Sequence, residues 1–292
     1  MAATDKTLIC LLVINKVKEM PELVLNSILR ATADQILVGY LKKSDLSELP
    51  RDPRITFVDL SERVSNEILL GASEYVDFSQ QQFYQLVQYK WVLLKYAQSL
   101  DFDTIIFSDF DVYWNRSPVD ALNKVFLNNP ETRLQIQTYT SDPSNQQLCM
   151  GFVAFKNGPE LSNLVSKLAE IHRVSLMQNQ FTGDDDVISD YYMNNVAFRQ
   201  QVCLLPQTTF PTGNLINLYS KKNFFPGLVP YNPYIFHANF VVGSSKKVKL
   251  LKTFIYAGQY GEVNAIRTQR IMVSLAILRC GVFVKKLFKQ KS

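Results

Sequence analysis

The segment Thr104-Ile105-Ile106-Phe107 holds no glycine, proline or charge, and it runs directly into Ser108-Asp109-Phe110-Asp111-Val112-Tyr113-Trp114. A β-branched and aromatic run of this kind reads as a buried strand. Its neighbours fix the type of sheet. Leu8 to Ile14 is a second continuous apolar run, a helix is expected from Pro21 to about Ala31, and Gln35 to Leu41 and Ile55 to Leu60 are strand-like again, the last after the turn signals Pro50 and Pro53. Strand, helix, strand in alternation predicts an α/β fold with a mostly parallel central sheet flanked by helices. Ligands of such sheets sit beyond the carboxyl ends of the strands. Asn15, Asp59, Asp109 and Asp111 all fall there.

Two carboxylates at the end of a buried strand are costly to build for stability alone, because an unpaired buried charge carries a desolvation penalty of roughly several kcal/mol. A divalent cation would remove that cost, and Mg²⁺ or Mn²⁺ takes carboxylates together with the oxygens of a substrate diphosphate. The plainer alternative is an Asp pair capping a turn, helped by Asn115, Ser117 and Pro118.

Further along, Phe83 to Leu100 has apolar residues at helical spacing, with Lys90 beside Trp91 near the edge. Lys90 could reach a phosphate; from spacing alone a solvated helix lysine is the favoured reading. A short helix over Val119 to Leu127, a strand over Arg133 to Thr138, and a second apolar strand passing through Gly151 follow. A glycine there allows close backbone approach to a ligand or another strand. Glu160 to His172 reads as a helix with His172 as an exposed terminal residue. Asp184-Asp185-Asp186 precedes an apolar-periodic run. A helix N-terminus accounts for one of these acids, and a general base or contacts to sugar hydroxyls are uses for the others. Residues 206 to 233 are rich in Pro, Gly, Asn and Tyr and suggest a loop-built substrate wall. Next, Tyr234-Ile235-Phe236-His237-Ala238-Asn239 carries one of only two histidines to the end of an apolar strand, ahead of Gly243, Lys246 and Lys247. A neutral imidazole can complete a metal site begun by carboxylates, and the lysines and amides near Gly243 could hold a diphosphate.

Composition narrows the class. The 292 residues are 47% hydrophobic and 20% charged, and the net charge of +5 comes from Lys and Arg that are dispersed until the C-terminus, so no nucleic-acid footprint is expected. The four cysteines, Cys10, Cys149, Cys203 and Cys280, are far apart in apolar settings, which suits a reducing, cytoplasmic location rather than a disulfide framework. Residues 1–262 are expected to form one domain. Residues 263–292 are expected to form a basic amphipathic tail, able to lie on an anionic membrane surface or to pack on the body of the protein.

In order, the strand ending in Asp109-Phe110-Asp111 followed by Trp114 and Pro118, the Gly151 strand, the acidic cluster and His237-Ala238-Asn239 with Gly243 downstream resemble the nucleotide-diphospho-sugar transferases of the GT-A fold. The likeness is greatest to retaining enzymes that transfer galactose, xylose or arabinose, and it spans about residues 80 to 250. The resemblance implies that Asp109, Asp111 and His237 bind Mn²⁺ or Mg²⁺. It further implies that Lys90, Ser108, Gly151, Gly243 and Lys246 line the nucleotide-sugar site, and that Asp184 or Asp185 touches the acceptor or the reacting sugar. The implied activity is transfer of a sugar, hexose or pentose, from a UDP-type donor to a glycan or other hydroxyl acceptor. Cys149 stands where the family usually has Asn, and Asp184-Asp185-Asp186 where it usually has Asp-Gln, a cluster closer to that of inverting β-galactosyltransferases. Retention or inversion therefore stays open.

Two other classes use parts of the same pattern. A phosphatase of the haloacid dehalogenase type also places Asp-x-Asp after a strand, with Asp109 as nucleophile and Asp111 as acid, but normally on the first strand, and it leaves His237 without a role. A nucleotide-sugar-binding module without turnover would keep the metal site alone.

Overall fold

The computed structural model describes residues 6–14, 19–63, 81–139, 146–178, 180, 182–213, 232–239 and 243–258. Asn15, most of the 206–233 loop and the 263–292 tail lie outside them. Strands β1 (Thr7–Val13), β2 (Gln35–Tyr40), β3 (Ile55–Asp59), β4 (Thr104–Ser108), β6 (Leu134–Thr138), β7 (Leu148–Lys156) and β8 (Val202–Leu204) form one sheet in the order β3-β2-β1-β4-β7-β6-β8. The first four are mutually parallel, and β7 alone runs antiparallel to both of its neighbours. A ribbon of two short antiparallel strands, β5 (Val112–Trp114) and β9 (Ile235–His237), lies apart from it.

Alternate side chains of β1 show why its run is apolar throughout. Leu8, Cys10 and Leu12 enter one core with α2 (Gln81–Gln98), α4 (Pro159–Met177), α5 (Asp184–Asn194) and the short α6 (Val196–Gln200). Ile9, Leu11 and Val13 enter a second core with α1 (Met20–Ala31), α3 (Val119–Asn128) and α7 (Ser244–Gly258). A strand whose two faces are both covered by helices has no polar face to present. Burying each of these Leu and Ile side chains is worth about 1.5–3 kcal/mol.

The expected α/β architecture is therefore present, with boundaries shifted by a few residues. The largest shift is in α4, which continues to Met177, so His172 lies inside the helix. There it extends the buried stripe of Leu161, Val165 and Leu168, and it is fully buried rather than exposed as its expected terminal position implied. Its Nδ1 accepts a hydrogen bond from Trp91 Nε1 at 3.0 Å, tying α4 to α2. Among the described residues no helix is long and apolar enough to cross a membrane.

Candidate metal centre and its surroundings

The end of β4 turns sharply. Asp109 N–H donates to Gly151 O at 2.8 Å, continuing the pairing of β4 with β7, and Val112 N–H closes back on Asp109 O at 3.1 Å. The turn leads into β5, which is held by Trp114: its backbone N–H donates to Ser27 Oγ at 3.0 Å and its indole Nε1–H to Ser108 Oγ at 3.2 Å. Ser108 is thus fully buried beneath the turn, where its hydroxyl supports Trp114. Pairing of β5 with β9 sets His237 opposite Val112, and Ala238 N–H donates to Asp111 O at 2.9 Å. Two segments over a hundred residues apart are thereby locked side by side.

One ligand atom each from Asp109, Asp111 and His237 lies within 4.8 Å of the others. His237 Nε2 is 3.1 Å from Asp111 Oδ1, a buried oxygen that finds no hydrogen-bond donor among the described residues. Two carboxylates and an imidazole, largely withdrawn from water, are a donor set suited to Mn²⁺ or Mg²⁺. Gly151 makes this approach possible. A Cβ there would stand 2.1 Å from His237 Cε1, 2.8 Å from Nε2 and 3.1 Å from Asp109 Oδ2.

Two lysines flank the acids. Lys90 is buried, not solvated; its Nζ lies 3.0 Å from Asp109 Oδ1 and 2.8 Å from Asp184 Oδ2. Burial alone would lower its pKa, but the charges of Asp109, Asp184 and Asp185 outweigh that and raise it well above the usual value. Lys247 Nζ meets Asp111 Oδ2 at 2.5 Å. Burial would raise the Asp111 carboxyl, yet the neighbouring Lys247 ammonium holds it well below the usual carboxylate range. Asp109 goes the other way: its burial, with Asp111 and Asp184 nearby, raises it despite Lys90. Lys246, the lysine expected at the diphosphate, is exposed at the start of α7, where its backbone N–H and that of Lys247 bond to Gly243 O. A helix start turns by about 100° per residue, so neighbouring lysines face different ways. Gly243 itself is required by its φ of +95°.

The three adjacent acids divide their work. Asp186 caps α5, accepting from Gly183 N at 2.9 Å. Asp184, buried at the first helical position, pairs with Lys90. Asp185 accepts from Met150 N–H at 2.6 Å and from the Tyr139 hydroxyl. Burial and the neighbouring Asp184 push its carboxyl up to about 7. Asp59 lies at this edge as expected, closing β3, where it accepts from the N–H and hydroxyl of Ser61. One contributor escaped the sequence reading: Gln137, fully buried on β6, places Oε1 3.1 Å from His237 Nδ1. The signal was a pair of glutamines, Gln135 and Gln137, in a strand with no solvent-facing side.

The chain is similar to known proteins in sequence family and in fold. The family model of nucleotide-diphospho-sugar transferases matches residues 67–251, a stretch that includes Lys90, both aspartates of the turn, the acidic cluster and His237. Among solved structures, the galactosyltransferase LgtC in complex with donor and acceptor sugar analogs superposes with a TM-score of 0.55 at 11% identity, over 84% of this chain and 95% of that one. Mouse xyloside xylosyltransferase 1, apo form, gives 0.51 at 14% identity, over 81% and 98%. A glycosyltransferase involved in glycosylation of the major capsid of PBCV-1 gives 0.50 at 9%, over 85% and 98%. No curated protein matches in sequence. The fold is that of the GT-A glycosyltransferases. This chain belongs to the nucleotide-diphospho-sugar transferase family.

Proposed function

We propose that the chain transfers a hexose or pentose from a UDP-linked donor to a hydroxyl of a glycan or similar acceptor, with Mn²⁺ or Mg²⁺ held by Asp109, Asp111 and His237. The observation that carries this reading is the convergence of those three side chains within 4.8 Å, against a glycine that leaves no room for a side chain. A divalent cation there supplies Lewis-acid neutralisation of the leaving diphosphate. Lys247 stands beside Asp111 where a second positive charge helps hold the diphosphate, taking the role first assigned to Lys246. Lys90 orients Asp109 and Asp184 through its ion pairs. Asp184 and Asp185 face the reacting sugar and the acceptor. With its pKa near neutrality, Asp185 suits a general base in an inverting reaction; in a retaining one the leaving phosphate takes the acceptor's proton. The free thiols of Cys10, Cys149 and Cys203 fit a reducing, cytoplasmic setting.

The test is incubation with Mn²⁺ and a panel of nucleotide sugars, in the presence and absence of EDTA. Metal-dependent release of UDP supports the reading. Binding without release would favour a silent binding module, and phosphate release from phosphomonoesters a phosphatase.

A further inference from the structure

We propose that Gln137 is a positioning residue that keeps His237 protonated on Nδ1, so that the lone pair of Nε2 is directed toward Asp109 and Asp111 and is available to a cation. The inference rests on the metal reading above and extends it to a side chain that touches none of the acids.

The register of β6 against β7 shifts between Ile136 and Gln137, which re-aims the residues beyond it. The Gln137 side chain reaches the loop before β9, where its Nε2 donates to Phe210 O at 3.1 Å and to Pro211 O at 3.3 Å. Both amide hydrogens are thereby committed, and Oε1 is left facing His237 Nδ1 at 3.1 Å. Turning the amide over would set its oxygen against two carbonyl oxygens, so the orientation is fixed by the network. An amide oxygen only accepts, hence Nδ1 must carry the hydrogen. The other group near Nδ1 is Cys149 Sγ at 3.6 Å, which itself lies 3.7 Å from Asn239 Nδ2. Pro211 O also accepts from the His237 backbone N–H at 3.3 Å, so one carbonyl anchors both the ring's backbone and the side chain that orients the ring. Metal-binding histidines depend on such partners for tautomer and ring angle.

The chain supplies its own control. Its second histidine, His172, accepts at Nδ1 from Trp91 Nε1, an atom that can only donate, so the neutral ring holds its hydrogen on Nε2. The two imidazoles are held in opposite tautomers.

Long-range ¹H–¹⁵N correlation spectra of ¹⁵N-histidine-labelled protein with Mg²⁺ and UDP test this directly, since only two rings contribute. The expected pattern is a pyrrole-type Nδ1 and pyridine-type Nε2 for His237, with the reverse for His172. In Gln137→Leu the His237 pattern shifts while that of His172 stays, and affinity for Mn²⁺ alone, read by electron paramagnetic resonance, falls about 10- to 100-fold. A parent protein that binds Mn²⁺ yet shows His237 protonated on Nε2 overturns the proposal, as does a Gln137→Leu protein that keeps both tautomer and affinity. Should the variant fail to fold, the parent spectrum still decides. A parent protein that takes up no Mn²⁺ overturns the metal reading itself, and this proposal with it.

Discussion

Replacing Gly151 with alanine adds a single methyl group at the most crowded point of the site. That carbon would lie 2.1 Å from His237 Cε1, whereas ordinary van der Waals contact begins at 3.4 Å, so the ring must withdraw by about 1.3 Å. Withdrawal is resisted: Gln137 holds Nδ1, β9 is paired to β5 along its length, and the ring is only 3% exposed. The backbone of β7 is equally fixed between β4 and β6. Overpacking of this kind costs about 1–3 kcal/mol of stability. The larger effect is on the metal, because a ligand displaced by more than an ångström no longer closes the donor set. Gly151→Ala is expected to fold, to melt several degrees lower, and to bind Mn²⁺ at least about 100-fold more weakly, since even mutation of a ligand's outer partner costs about 10- to 100-fold. Titration of Mn²⁺ followed by electron paramagnetic resonance, alongside thermal unfolding of the metal-free proteins, separates the two effects. A folded Gly151→Ala protein with the parent's Mn²⁺ affinity would refute the claim that His237 reaches the ion over this glycine.

Three further outcomes follow from the same geometry. Lys90→Met leaves Asp109 and Asp184 without their shared cation and should cost about 3 kcal/mol in denaturant unfolding, the low end for a broken buried pair because the Asp109 side chain keeps 30% exposure; adding Asp184→Asn should recover part of the loss, and strict additivity of the two changes would contradict the pairing. For Asp185, the folded chain retains the carboxyl proton up to about pH 7 while the unfolded chain releases it near 4, so its stabilising contribution is full below about pH 4 and is lost as pH rises to 7; melting curves of metal-free Asp185→Asn should lack that slope, and curves parallel to the parent's would refute it. Lys247→Met should weaken UDP binding about 10- to 100-fold in a calorimetric titration, as expected for loss of a charge-assisted contact, while Lys246→Met changes it less than about twofold; the reverse order would restore Lys246 to the site.

How much of this was legible beforehand depends on whether a residue's neighbours lie close in sequence. The α/β fold could be read because each apolar run carries its own signature, and the turn after β4 because two acids cannot continue a buried strand unpartnered. His237 was legible as the end of an apolar strand of a chain with only two histidines. What failed were questions of facing. His172 is terminal only to a helix that stops there; in one that continues to Met177, its spacing from Leu161, Val165 and Leu168 marks it as buried. Lys246 and Lys247 differ by one position at a helix start, and only the direction of α7 decides which meets Asp111. Gln137 contacts a residue exactly a hundred positions away, a pairing that no local pattern encodes.

The central claim is that Asp109, Asp111 and His237 share one divalent cation. Anomalous diffraction from crystals grown with Mn²⁺ and UDP tests it most directly. The expected result is a manganese peak within bonding distance of a carboxylate oxygen of each aspartate and of His237 Nε2, with the diphosphate on the same ion. A peak that excludes the imidazole, or manganese bound elsewhere on the chain, would contradict it.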